Sequence, residues 1–167
     1  MSEKEEIYCL DTNILIQPWT TYYSPEFCPD FWEILKQLGN QNRIFICTEV
    51  YDEIKKTEDD LYKWLKDSKI PVKKTSEAVI NCLKDINSNP IHLKLADNTK
   101  SRSLADPWVI AHAMNQKAVV VTKEEKITAE NSPKIKIPNV CDNMKVRWIN
   151  DFGFIKEVGI KFSCQIV

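Results

Sequence analysis

Four acidic residues stand where a carboxylate could do chemistry: Asp11 in YCLDTNILI, Glu53 in TEVYDEIKK, Asp106 in LADPWVIAHAM and Glu124 in VVVTKEE. Asp11 is the most exacting of them, because its neighbours are apolar on both sides. An ionised carboxylate taken out of water is costly unless it is paired, hydrogen-bonded or bound to a metal. Taken singly, the other three have ordinary readings. Asp106 can cap a helix, worth about 1 kcal/mol, and Glu53 and Glu124 can be solvated acids among Glu49, Asp52, Glu58, Asp59 and Glu125. Taken together, four acids in one cleft of low dielectric would repel one another, raising their pKa values or disrupting the site. A divalent cation removes that conflict. Mg²⁺ and Mn²⁺ prefer hard oxygen donors, keep several waters, and bind through a few carboxylates plus substrate phosphates.

Convergence of that kind needs a scaffold. Apolar runs rich in β-branched residues predict strands at Ile7–Leu10, Ile44–Cys47 and Ala118–Val121, with weaker ones at Ile135–Ile137 and Val146–Ile149. Segments of helical spacing alternate with them, the pattern of an α/β protein whose mostly parallel five-stranded sheet has helices on both faces. Ser24-Pro25-Glu26 looks like a helix start, followed by Phe31, Leu35 and Leu38 on one face up to Gly39, with Pro29 dividing a short turn from the main helix. Thr48 is expected to cap a helix to Lys55 or Lys56. Glu58–Lys66 forms another, with Leu61, Trp64 and Leu65 inward, and Ser76–Ile86 a third. Ser88-Asn89-Pro90 breaks the pattern, and residues 91–102 carry no readable period. Asp106-Pro107 then resembles an N-cap and first-turn proline, with Trp108, Val109, Ala111 and Ala113 on the apolar side.

In an open parallel sheet, ligands bind outside the carboxyl ends of the strands. Asp11 falls at the end of the first strand and Glu53 in the helix after the second. Asp106 opens the helix leading into the third strand, and Glu124 follows that strand. One edge can therefore collect all four.

Composition sets the frame. With 167 residues, 43% of them hydrophobic, the chain is expected to form a single domain over residues 1–167. The charged opening MSEKEE lacks the apolar core of a signal peptide, and no apolar run spans a bilayer, so a cytoplasmic location away from membranes is expected. Six scattered cysteines without a C-x-x-C pair suggest reduced thiols. His92 and His112 have no cysteine at ligand spacing, so no zinc site is read from the sequence. A net charge of −1 argues against non-specific coating of nucleic acid, though not against a local basic patch around Lys94, Lys100 and Arg102 or around Lys123, Lys126, Lys134 and Lys136.

The stretches YCLDTNILI, FCPDFW, TEVYDEIKK with DDLYKWLKD, LADPWVIAHAM, VVVTKEE and KIKIPNVCD span most of the chain. In their order and content they resemble PIN-domain ribonucleases, and more narrowly the stand-alone PIN-like proteins of the DUF4411 group. DTN alone is a weak signal. The ordered series DTN, V-x-x-E-I, ADPWVIA and VTKEE is fairly specific. The resemblance implies an α/β/α sandwich with metal ligands at Asp11, Glu53, Asp106 and Glu124, and with Thr12 and Asn13 positioning the first acid, a water or the scissile phosphate. Many PIN domains carry aspartate as the fourth acid, so Asp142 in NVCD rivals Glu124. Similarity to toxin–antitoxin PIN proteins also implies a toxin role with an antitoxin partner, and PIN-like domains often pair as homodimers.

The expected reaction is hydrolysis of an RNA phosphodiester supported by one or two Mg²⁺ or Mn²⁺ ions, with Lys94, Lys100, Arg102 and Lys123 as candidates for holding the RNA backbone. The alternative is a catalytically silent PIN-like module that binds RNA or protein. Phosphoryl transfer at Asp11 of the haloacid-dehalogenase or receiver type is weaker. The first expects a second aspartate where Asn13 stands, and the second expects an acidic pair that Ile7–Leu10 does not supply.

Overall fold

The three strongest apolar runs become the centre of a five-stranded sheet. The computed structural model describes residues 5–57, 59–96 and 104–167. Its strands are β1 (Tyr8–Leu10), β2 (Ile44–Cys47), β3 (Val72–Lys73), β4 (Val119–Val121) and β5 (Trp148–Ile149), in the spatial order β3-β2-β1-β4-β5. All four pairings are parallel. Every residue of β1, β2 and β4 is buried, as expected where helices cover both faces of a parallel sheet.

The helices are α1 (Asn13–Thr20), α2 (Pro29–Asn40), α3 (Thr48–Lys55), α4 (Asp60–Ser68), α5 (Glu77–Asn87), α6 (Asp106–Gln116), α7 (Ile137–Asn143) and α8 (Asp151–Val158), with a 3₁₀ segment at Pro90–Ala96. The chain steps from β1 outward to β2 and β3, then returns across the sheet to β4 and on to β5. Right-handed crossovers put the helices of the outward leg on one face and those of the return leg on the other. Most of the packing follows that division, since α1 and α3 meet α4 while α5 and α7 meet α6, and α3 also touches α6. The direction reverses between β1 and β4, and their carboxyl ends form the switch point where α/β sheets open a crevice. Edge-on tryptophan contacts lock α1 in place beside it, Trp19 to Trp32 at 4.7 Å and Trp32 to Trp64 at 4.9 Å between ring centroids.

Several expectations change. Ile135–Ile137 is not a strand: Ile137 is the first residue of α7 and Pro138 the second. A proline cannot donate to a sheet ladder but suits a first helical turn. The remaining strand is β3, only two residues long at an edge, where no apolar run announces it. The ILI of Ile14–Ile16 belongs to α1, which the sequence did not reveal as a helix. Residues 24–28 form a turn, with the N–H groups of Phe27 and Cys28 donating to the Ser24 carbonyl, and the helix proper starts at Pro29. Asp59 caps α4 by accepting from the Tyr62 N–H at 3.0 Å, and the helix starts at Asp60; the expected start at Glu58 lies outside the described residues. Thr48 is the first residue of α3 rather than its cap, and its hydroxyl donates to the Lys73 carbonyl in β3. Asp106 likewise is the first helical residue of α6, with Ala105 in the cap position. Among the described residues no helix is long and apolar enough to cross a membrane.

Candidate functional site

Asp11 owes its place to an abrupt change of structure. Its N–H still donates to the Val121 carbonyl at 3.0 Å, continuing the β1–β4 ladder, while its own carbonyl already accepts from the Ile14 N–H of α1 at 3.1 Å. The side chain is thereby held at the switch point and only 2% exposed. One carboxylate oxygen accepts from the Thr12 N–H at 2.7 Å and the other from the Thr122 hydroxyl at 2.8 Å. Burial pushes this carboxyl from its ordinary value near 3.8 up to about 7. The Thr122 hydroxyl and the Thr12 N–H oppose that rise, and the charges of Glu124 and Glu53 add to it.

The surrounding residues form a connected polar network. Thr12 Oγ1 donates to Glu53 Oε2 at 2.5 Å, which ties the end of β1 to α3. Asn13 Oδ1 accepts from the Lys123 N–H at 3.0 Å, and its Nδ2 donates to Thr122 Oγ1 at 3.5 Å. The same Thr122 oxygen accepts from the Glu124 N–H at 3.1 Å, so this fully buried threonine joins the ends of β1 and β4. Glu124 is turned toward the start of α7: Oε2 accepts from the Ile137 N–H at 2.8 Å, and Oε1 lies 3.5 Å from Lys136 Nζ. Asp106, 7% exposed, projects from the first turn of α6.

All six residues singled out from the sequence, Asp11, Thr12, Asn13, Glu53, Asp106 and Glu124, line one cleft of about 520 Å³, together with Lys56 and Lys136. That volume is in the range of small-ligand sites. Four carboxylates against two ammonium groups leave the cleft negative when all are ionised. Among the described residues, no three of these carboxylates bring an oxygen each within 4.8 Å of one another. The cleft is thus wide enough for a cation that keeps water between itself and some of the acids, as Mg²⁺ does.

Other candidates are distributed differently. Asp142 is outside this cleft: its oxygens meet Lys126 Nζ at 2.6 Å and Trp148 Nε1 at 2.8 Å, and these bonds hold its carboxyl below the usual range. Of the two rivals for fourth acid, Glu124 is the one that lines the cleft. Lys123 points its ammonium at Asp151, 2.9 Å away, and over the Tyr22 ring, 4.7 Å from its centroid, rather than into the cleft. Lys94 is exposed on the 3₁₀ segment, away from the cleft lining. Lys100 and Arg102 lie outside the described residues. Sequence reasoning missed Thr122 and Lys56, and it noted Lys136 only as part of a basic run. A hydroxyl residue ending three buried valines was the available signal for Thr122; Lys56, one of two adjacent lysines, offered none.

Residues 8–162 match the family described as a domain of unknown function, DUF4411. No curated protein matches the chain. Among solved structures, VapBC2 from Rickettsia felis, bound to a DNA fragment from their promoter, superposes with a TM-score of 0.50 at 15% identity, over 86% of this chain and 98% of that one. VapBC-1 from nontypeable Haemophilus influenzae gives 0.52 at 18% identity, over 86% and 97%. FitAcB from Neisseria gonorrhoeae gives 0.53 at 16%, over 87% and 99%. Likeness at this level of identity speaks for the fold. With a family match over residues 8–162, nearly its whole length, the chain belongs to the DUF4411 family.

Proposed function

We propose that this protein is a ribonuclease that hydrolyses RNA phosphodiester bonds with the help of Mg²⁺ or Mn²⁺, and that it acts in the cytoplasm as the toxin of a toxin–antitoxin pair. The observation that carries this reading is the buried Asp11 carboxylate, held by neutral donors in a cleft it shares with Glu53, Asp106 and Glu124. The donor set fits the ion: every candidate ligand is a hard oxygen, and the acids carry more negative charge than the two lysines offset. Asp11, Asp106 and Glu53 would hold the metal, with Glu124 closing the set directly or through water.

Bound there, the ion would supply charge stabilisation at the phosphoryl oxygens and lower the pKa of a water. The chain's own residues do the rest. Thr122 and the Thr12 N–H fix the orientation of Asp11, and the Thr12 hydroxyl fixes Glu53. Lys56 and Lys136, at the cleft, attract the phosphate backbone. Asn13, anchored by the Lys123 N–H, keeps the turn between β1 and α1 closed around the acid.

Labelled RNA incubated with Mn²⁺ tests the reaction: cleavage should occur, and Asp11→Asn should abolish it while circular dichroism stays unchanged. Absence of metal-dependent cleavage over a broad panel of RNAs would leave the silent binding module in its place. The toxin role is tested in cells. Expression of the chain alone should arrest growth and Asp106→Asn should relieve the arrest, whereas arrest that persists in the variant would mark expression burden. An antitoxin and a second copy of the chain are the expected protein partners, and affinity capture followed by light scattering distinguishes them.

A further inference from the structure

A second group of ligand-type side chains lies apart from the cleft lining. Cys47 ends β2, Glu49 is in the first turn of α3, and His112 is in the middle of α6. One donor atom from each lies within 4.8 Å of the other two. His112 is 0% exposed, and among the described residues neither of its ring nitrogens has a hydrogen-bond partner; the buried Glu49 Oε2 lacks one too. The other Glu49 oxygen is already held by the Thr75 hydroxyl at 2.9 Å, which aims Oε2 inward. Buried polar atoms are nearly always bonded, and leaving one unsatisfied costs about 1–3 kcal/mol. Two facing side chains with unmet buried atoms therefore call for a missing partner.

The spacing indicates what that partner is. His112 Nε2 and Glu49 Oε2 are 3.7 Å apart, too far for a hydrogen bond. Two ligands of one tetrahedral zinc, with bonds of about 2.0–2.2 Å, stand roughly 3.4 Å from each other. Thiolate, imidazole and carboxylate are the three ligand types zinc accepts, while a sulfur donor disfavours Mg²⁺ and Mn²⁺.

We propose that Cys47, Glu49 and His112 form a zinc site, distinct from the all-oxygen cleft, that pins α3 to α6. The two helices already pack together, and they carry Glu53 and Asp106 respectively, so the site would fix the separation of two cleft acids. Its role does not depend on the nuclease reading. Zinc binds the thiolate, so its uptake releases a proton to solvent and weakens as the pH falls. Sequence spacing could not reveal this site because Cys47 and His112 are 65 positions apart.

The test uses the full chain with Cys28 and Cys164 replaced by serine, stripped with a chelator and reloaded with Zn²⁺ or Co²⁺ in excess Mg²⁺. The expected result is one zinc per chain, and with Co²⁺ a thiolate-to-metal charge-transfer band in the near ultraviolet. Cys47→Ser should lose the band and the zinc, His112→Asn should lose the zinc, and Asp11→Asn should keep both. Zinc uptake in Cys47→Ser equal to that of the parent would overturn the proposal. So would a folded parent chain that takes up no stoichiometric zinc or gives no thiolate band, a result read without any ligand variant.

Discussion

Replacing Asp11 by asparagine should stabilise the metal-free protein at neutral pH, even though it removes a central residue of the cleft. The reason is the proton that burial forces onto this carboxyl. In the folded chain its pKa rises from 3.8 to about 7, so between those values the folded state holds a proton that the unfolded state has released. Stability therefore falls as the pH climbs through that window and levels off above it. At 1.36 kcal/mol per unit, the whole window amounts to about 4 kcal/mol. Asparagine carries no such charge, and its amide oxygen can still accept from the Thr12 N–H. The advantage of Asp11→Asn over the parent should accordingly grow by about 3 kcal/mol between pH 5 and pH 8. Urea unfolding of both proteins at the two pH values, in the presence of a chelator, measures it. Adding Mg²⁺ or Mn²⁺ should then raise the parent's stability at pH 8 and leave the variant unmoved. A stability difference that does not change with pH would refute this reasoning, because it would mean that Asp11 gives up its proton in the fold as readily as in water.

Three further outcomes follow from the same geometry. Thr122→Val should destabilise the fold by about 1–3 kcal/mol in thermal or urea unfolding, since it leaves an Asp11 oxygen and the Glu124 N–H without their buried partner. Gly39→Ala should cost about 1–3 kcal/mol by overpacking, because its Cβ would come within 2.9 Å of Ile70 Cγ1 and 3.0 Å of the Ile70 Cα, and the backbone cannot yield as a side chain can. The double change Lys56→Ala and Lys136→Ala should weaken RNA binding across sequences and flatten its salt dependence, by about one unit of log–log slope for each phosphate that is no longer neutralised. Binding titrations at two salt concentrations check it, and an unchanged slope would remove both lysines from the RNA path.

The parts of the fold that the sequence disclosed are those where burial and period coincide. β1, β2 and β4 are apolar throughout because helices cover both faces, and a continuous β-branched run is an unambiguous sign of that environment. Edge strands leave no such mark. β3 is two residues long and half exposed, so its composition is not distinctive. α1 was hidden for the opposite reason: Ile14, Leu15 and Ile16 form an apolar run too short for a helical period to show, and Pro18 argues against a helix. The acids were legible by topology, since each could be assigned to the carboxyl end of a strand or the start of a helix. The lysines were not, because their long side chains decide their own direction. Lys136 reaches the cleft, whereas Lys123, one residue from the site in sequence, bends away to Asp151.

That diversion of Lys123 bears on why the cleft suits a metal at all. Among the described residues no lysine or arginine pairs with Asp11, and the acid is held by a hydroxyl and an amide N–H. A cation from the chain would have lowered the Asp11 pKa and cancelled its charge permanently, removing the reason for a free ion to bind. Neutral donors give the carboxylate a fixed direction and leave its charge uncompensated. The nearest basic side chain after β4 is instead neutralised at 2.9 Å by the buried Asp151, which also accepts from the Tyr22 hydroxyl at 3.1 Å. Asp151, in the first turn of α8, thus holds that ammonium group away from the switch point. Removing it, as in Asp151→Asn, would free Lys123 to swing toward Asp11, and should lower affinity for Mn²⁺ without altering any residue of the cleft. Calorimetric titration of Mn²⁺ into the two proteins decides this, and equal affinities would show that the acids alone, without that exclusion, are enough.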